Sequence, residues 1–308
     1  MKKALIVKNE LSGNSNSITI DELQKVFCKD FITSTIIIKN KKMNYDVEGY
    51  DRIIVSGGDG TLSTFINLEH NATTKASELF YVSSGTLNEK ENNSREDKDS
   101  IREMNNTIGQ INDHYFSYVL ATGTFTPLGY VVSDSEKKKH KAMAYIHHVL
   151  KEYKVHHITA SLYNQDQTIN LNDTYAIIML LINESCFGLK FNRLYKKNKD
   201  KIYLLTIKAP KKKTLIGKII LFFSLFRAFI IGFNKEKRSK KINFIAIDEL
   251  SIDLKKDEPF CADGELMNLN KGINTIKAYK INGTVFMLDQ KTVKELIKNH
   301  KTLWLNIS

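Results

Sequence analysis

The sequence predicts an α/β unit with a parallel sheet, followed by a second, mostly antiparallel β domain. Three observations carry this expectation. Short apolar β-type runs alternate with helical spacings in the first third of the chain, the pattern of parallel strands joined by crossover helices. A glycine-rich loop, Gly57-Gly58-Asp59-Gly60-Thr61, stands directly between one such run and a helical one. From Tyr115 onward, β-type segments follow one another with few helical interruptions.

The elements follow in order. Leu5 to Val7 is a buried-type strand that ends in the polar turn Asn9 to Asn16. Ile20 to Phe27 has helical spacing. Ile36 to Ile38 and Arg52 to Ser56 are further strands, Leu62 to Leu68 is helical, and Leu79 to Val82 is a fourth strand. In parallel sheets of this kind ligands bind beyond the carboxyl ends of the strands, where the glycine loop sits. The second domain reads as strands at Tyr115 to Leu120, His157 to Tyr163, Tyr175 to Ile182, Ile202 to Ile207, Asn243 to Ile247, Leu250 to Leu254 and Thr275 to Ile281. Helices interrupt it at Ala142 to Tyr153 and Leu215 to Phe233, and Thr292 to Lys301 closes the chain.

Composition bounds the function. An apolar fraction of 42% and a charged fraction of 26% are those of an ordinary folded protein rather than a disordered one. The net charge of +12 speaks to partners: nucleic acid, an anionic membrane or a polyanionic small molecule. Nucleic acid rests on charge alone and is not expected. Cys28, Cys186 and Cys261 are far apart and outside any CxxC spacing, which suits a reducing compartment without disulfides or a thiolate zinc site. The apolar run near Met1 is too short for a signal peptide. The expected location is cytoplasmic.

The Gly57–Thr61 loop suits phosphate, because glycine lets backbone N–H groups approach oxygen closely and a helix N-terminus favours an anion. Asp59 within it would be repelled by phosphate unless Mg²⁺ stood between them, so the loop points to a metal-nucleotide. Gly85-Thr86-Leu87-Asn88 also follows a strand and is placed to face the same nucleotide. Asn9 to Gly13 follows strand one. Asp263-Gly264-Glu265 puts two carboxylates on a turn, one of which can accept a hydroxyl proton.

As an ordered set, these motifs resemble the diacylglycerol kinase catalytic-domain family, in particular the bacterial lipid kinases, over nearly the whole chain. The family's first loop appears as Asn9-Glu10-Leu11-Ser12-Gly13 and its second as Gly57 to Thr61. The third appears as Ser83 to Glu89 and the late acidic triplet as Asp263-Gly264-Glu265. Ala121-Thr122-Gly123-Thr124-Phe125 is similar to the strand end that opens the family's second domain. The resemblance implies an ATP-binding α/β domain over residues 1–116, to which 287–308 returns, and a β-sandwich lipid domain over 117–286. It implies ATP and Mg²⁺ as cofactors, with Asn9, Ser12, Gly13, Gly57, Gly58, Gly60, Thr61, Gly85, Thr86 and Asn88 around the nucleotide. Asp59 would act through Mg²⁺, and Glu265 would be the general base, with Asp263 as the alternative. The family's structural Mg²⁺ would use Asp200. The implied reaction moves the γ-phosphate of ATP onto the hydroxyl of diacylglycerol or a related lipid. NAD kinases, which share the glycine loop, and a non-catalytic lipid or nucleotide binder are the alternatives.

This sequence departs from the family at Glu10 and Ser83, where the family has proline, at Glu89 in place of Asp, and at Lys201 in place of the glycine after Asp200. Leu215 to Phe233 is almost wholly apolar, but Lys218 and Arg227 fall on opposite helical faces, which argues against a membrane span. Lys211, Lys212, Lys213, Lys235, Lys237, Arg238, Lys240 and Lys241 flank it. The expectation is a helix of the β domain whose basic ends touch an anionic membrane, with the lipid substrate met there as a peripheral partner. A homodimer is admitted. Lys137 to Lys141 is expected to be a solvated loop, and the His147-His148 and His156-His157 pairs to be packing or surface residues.

Overall fold

The computed structural model describes residues 1–39, 45–68, 76, 78–85, 102–103, 105–124, 155–186, 189–211 and 214–299. The chain divides into two compact units, one of Met1–Asn106 with Lys280–Ser308, the other of Thr107–Tyr279. The first unit thus closes before 116 and resumes before 287.

The first unit is the expected α/β unit. Its sheet runs β2 (Ile32–Ile38), β1 (Lys3–Asn9), β3 (Arg52–Gly57), β4 (Glu78–Ser83), β19 (Thr284–Asp289) and β5 (Arg102–Glu103). The first five are parallel, and β5 pairs antiparallel with β19. Every residue of β3 and β4 is buried, as in strands covered on both faces. Helix α1 (Ile20–Phe27) starts at a capping box. The Thr19 hydroxyl accepts from the Glu22 N–H at 3.2 Å, and the Glu22 carboxylate accepts from the Thr19 N–H at 2.7 Å. Its Leu23, Val26 and Phe27 join Ile6, Ile54 and Phe80 in the core.

A buried ion pair sets the register of the central strands. Arg52 Nε donates to Glu78 Oε2 at 2.5 Å, Arg52 Nη1 donates to the Phe27 carbonyl at 2.5 Å, and the guanidinium lies 4.4 Å from the Phe31 ring centre. Arg52 opposes Glu78 at one end of the β3–β4 pair, so Gly57 opposes Ser83 at the other.

The second unit is antiparallel. Among the described residues, eleven strands form one hydrogen-bonded network. Its path runs β17 (Glu265–Leu269), β16 (Glu258–Ala262), β8 (Val119–Gly123), β10 (Asn170–Leu181), β9 (Ile158–Tyr163), β15 (Glu249–Leu254), β18 (Gly272–Lys280), β6 (Thr107–Ile111) and β7 (His114–Phe116). β11 (Ser185–Cys186) and β12 (Leu189–Lys190) form a separate antiparallel pair, and β13 (Ile202–Lys208) branches from β10 and carries β14 (Ile242–Ile247). Gly123 closes β8 at a positive φ, and any side chain there would overlap the carbonyl of Ala176. Cys28, Cys186 and Cys261 are free and buried. Helix α3 (Leu215–Phe226) continues as a π turn, Arg227–Ile231, and α4 (Gln290–Lys298) follows β19. The segment expected as a helix at Ala142 to Tyr153, the run Lys137 to Lys141, His147 and His148 lie outside the described residues.

Candidate active site

β1, β3 and β4 are neighbours and parallel, so the loops that leave their carboxyl ends meet on one edge of the sheet. Side chains tie those loops together. Asn9 Nδ2 donates to Thr61 Oγ1 at 2.8 Å, while Asn9 Oδ1 accepts from the Leu11 N–H at 2.9 Å. The Gly58 N–H donates to Ser12 Oγ at 3.2 Å. Asn14, which the sequence did not single out, joins three segments. Its N–H donates to the Ser84 carbonyl at 3.0 Å, its Nδ2 to the Gly85 carbonyl at 3.5 Å, and its own carbonyl accepts from Gln290 Nε2 at 3.0 Å.

The three glycines of the loop do different things. At Gly57 a side chain would overlap Thr61, and at Gly58 a Cβ would lie 3.0 Å from the Cα of Gly85. These two permit close packing of the loops. At Gly60 a Cβ would meet nothing within 4 Å. Helix α2 (Asp59–Asn67) begins inside the motif, with Asp59 in its first turn and Gly58 as an N-cap that places no side chain over the helix end. That end suits an anion through its backbone N–H groups and the helix dipole. Ser84 lies beside it, since its N–H donates to the Gly57 carbonyl at 2.7 Å. Among the described residues its buried hydroxyl meets no hydrogen-bond partner. An orphaned buried hydroxyl beside an open helix end fits a ligand with anionic oxygens. Gly13 and Glu10 are exposed in the first loop, so the Glu10 carboxylate faces solvent. Gly85 is described, whereas Thr86, Asn88 and Glu89 lie outside the described residues.

The acidic triplet lies in the second unit, on the β16–β17 turn. Asp263 and Gly264 have φ of 50° and 93°, the left-handed pair of a tight hairpin turn. The Asp263 carboxylate accepts from the N–H groups of Ser117, Tyr118 and Val119, the last two at 2.9 and 3.0 Å. It is buried and held by backbone, and it fastens the turn to the start of β8. Glu265, two residues on, is exposed at the first position of β17. Nearby His114 is held below its ordinary value of 6.5, because burial disfavours its charged form more than the Asp263 carboxylate favours it.

The residues do not fit the structural Mg²⁺ expected at Asp200. Asp200 Oδ1 accepts from Thr107 Oγ1 at 3.3 Å, and the adjacent Lys201 ammonium is ion-paired with Asp248. Among the described residues no group of three or more His, Cys, Asp or Glu is arranged to hold a metal ion.

No protein-family model matches the chain, and no curated protein matches it by sequence. Its fold does match solved structures. One, from Bacillus anthracis str. Sterne and provisionally named a diacylglycerol kinase, is 14% identical with a TM-score of 0.64, over 92% of this chain and 96% of the other. A second so named from the same organism is 16% identical with a TM-score of 0.63, over 93% and 97%. A third, named a diacylglycerol kinase, is 14% identical with a TM-score of 0.58, over 92% and 96%. At these identities the likeness is one of fold.

Proposed function

We propose that the chain is a kinase that transfers the γ-phosphate of ATP to the hydroxyl of a membrane lipid, diacylglycerol or a close relative. The observation that carries this reading is the uncapped start of α2, walled by the first and third loops and bordered by the orphaned Ser84 hydroxyl. Such a constellation suits the phosphates of a nucleotide. The family resemblance of the motifs and the names of the structural neighbours support lipid as the acceptor.

In this reading the start of α2 presents the backbone N–H of Gly60 to the phosphates, while the Gly58 and Thr61 N–H groups hold the loop to Ser12 and to itself, and Ser84 donates its hydroxyl. Asn9, Ser12 and Asn14 hold the loops in place rather than touch the ligand. Asp59 would hold the Mg²⁺ that arrives with ATP, and that cation would offset the charge of the transferred group. Glu265 takes the proton of the lipid hydroxyl as its oxygen bonds to phosphorus.

Incubation with labelled ATP and a total lipid extract should label one class of lipid alcohol. Asp59→Ala should abolish that labelling with the thermal transition little changed, because Asp59 opens the first turn of α2 half-buried and outside the core. Near-normal turnover by Asp59→Ala defeats the assignment of Asp59. No labelled lipid from the wild-type chain defeats the kinase reading.

A further inference from the structure

Helix α3 and its π turn are apolar on nearly every side, yet only a narrow seam of Gly217, Leu221, Leu225 and Ala228 is buried. The opposite face carries Ile219, Phe222, Phe223, Phe226 and Ile230 into solvent, with Phe223 66% and Ile230 54% exposed, and Leu215 at the amino end is 73% exposed. Exposed apolar surface concentrated in this way marks a docking site.

Both ends of the helix are fixed. Thr214 caps the start by accepting from the Gly217 N–H at 3.3 Å. At the far end Gly232 has a φ of 72° and runs so close to Phe191 that a Cβ would lie 2.7 Å from its carbonyl oxygen. The Phe233 N–H donates to that carbonyl at 2.7 Å, and the Arg193 N–H donates to the Phe233 carbonyl at 3.0 Å. Arg227, expected to place charge on the outer face, folds back instead. Its Nη1 donates to the Gly232 carbonyl at 2.5 Å, and its guanidinium sits 5.1 Å from the Phe233 ring centre. Arg227 thus adds no charge to the outer face, and Lys218, half-buried one turn before Phe222, stands at its border.

Beyond the ends the surface turns basic. Lys211, Lys235, Arg238, Lys240 and Lys241 are exposed, and the one acid among them, Glu236, accepts from the Ala246 N–H at 3.1 Å. We propose that this face docks on an anionic lipid bilayer, with α3 lying in the interfacial plane, its aromatic and aliphatic side chains among the upper acyl chains and its flanking cations on the headgroups. Among the described residues no helix is long and apolar enough to cross a membrane. A helix with one apolar face and basic flanks enters about 5–10 Å and stays in the interface. A second copy of the chain is a poorer occupant, because face-to-face pairing would bring the same cations against one another.

The inference rests on the lipid-kinase reading for its purpose, but it is tested without turnover. The full chain is sedimented with vesicles of phosphatidylcholine, with and without phosphatidylglycerol, at low and high salt and without ATP. Binding should be strongest with phosphatidylglycerol at low salt, weaken about fivefold per basic residue replaced by Gln, and persist in part at high salt. Phe223→Ser/Phe226→Ser should lower partitioning about 30–100-fold at either salt with an unchanged thermal transition. Ile219→Ser/Ile230→Ser serves as an independent second pair. Partitioning indifferent to both pairs overturns the proposal, as does a wild-type dimer that these substitutions dissociate. Turnover of a short-chain, water-soluble diacylglycerol separates the two readings. Failure of the wild-type chain to bind any of these vesicles with that turnover intact overturns docking alone, and vesicle binding without turnover overturns the kinase alone.

Discussion

At the carboxyl edge of the parallel sheet, Asn9, Ser12 and Asn14 hold loops together, and the groups left for a ligand belong mostly to backbone. At the β16–β17 turn the division is reversed: Asp263 grips backbone, and the side chain of Glu265 is what remains available. The difference teaches where a sequence can drift. A backbone N–H survives most substitutions, so the loop donors do not depend on which side chains stand at Glu10 or Ser83. A lone carboxylate has no such reserve.

The sharpest test of this contrast is therefore at the turn. Glu265→Gln should lower kcat by about 10²–10⁴-fold with ATP affinity and thermal transition little changed. Asp263→Asn should do the opposite, lowering unfolding free energy by on the order of 2 kcal/mol through weakened charge-assisted bonds to Ser117, Tyr118 and Val119. Equal effects of the two substitutions on both readouts would break the comparison.

A smaller effect is expected within the glycine loop. Gly57→Ala forces Thr61 aside and disturbs its bond from Asn9, at a cost of about 1–3 kcal/mol in stability. Gly60→Ala meets open space inside a helix, so stability should hold or rise by up to about 1 kcal/mol while ATP affinity falls. Calorimetric unfolding and nucleotide titration on the two variants read these separately. Should Gly60→Ala bind ATP as the wild type does, the helix start is not where phosphate sits.

The least effect comes from His114. Its proton affinity in the folded chain lies below the ordinary 6.5, so below that pH the unfolded chain binds the extra proton first. Stability should therefore decline as pH falls through 6.5 and level off beneath the folded value. His114→Gln should flatten that part of a plot of melting temperature against pH.

What the sequence discloses follows from which signals are local. Leu5 to Val7, Arg52 to Ser56 and Leu79 to Val82 are short apolar runs between polar turns, and all three became central parallel strands. The start of α2 was legible only as a motif. Its first turn contains Gly60, which reads as loop, so the helix was expected from Leu62 rather than Asp59. Strands β16, β17 and β19 are among those the sequence does not disclose, because alternation in EPFCA, ELMNL and TVFMLD is too brief to separate from loop. Ser84 and Gln290 matter through contacts formed only once distant segments meet, which no spacing reveals. Helix α3 was recognised, but its exposure was not: a segment apolar on all sides has no periodicity to say which side faces inward.

The place of β19 has a consequence for how the molecule is made. β4 ends at Ser83, and the strand that must lie against it begins at Thr284, after the whole of the second unit. On a ribosome adding about 5–20 residues per second, β4 waits roughly 10–40 s for its neighbour. The intervening β unit is contiguous and can collapse during that interval, whereas the parallel sheet keeps a buried-type edge bare. The nascent nucleotide unit is thus the stage at which a chaperone, or a stray strand from another chain, finds its opening.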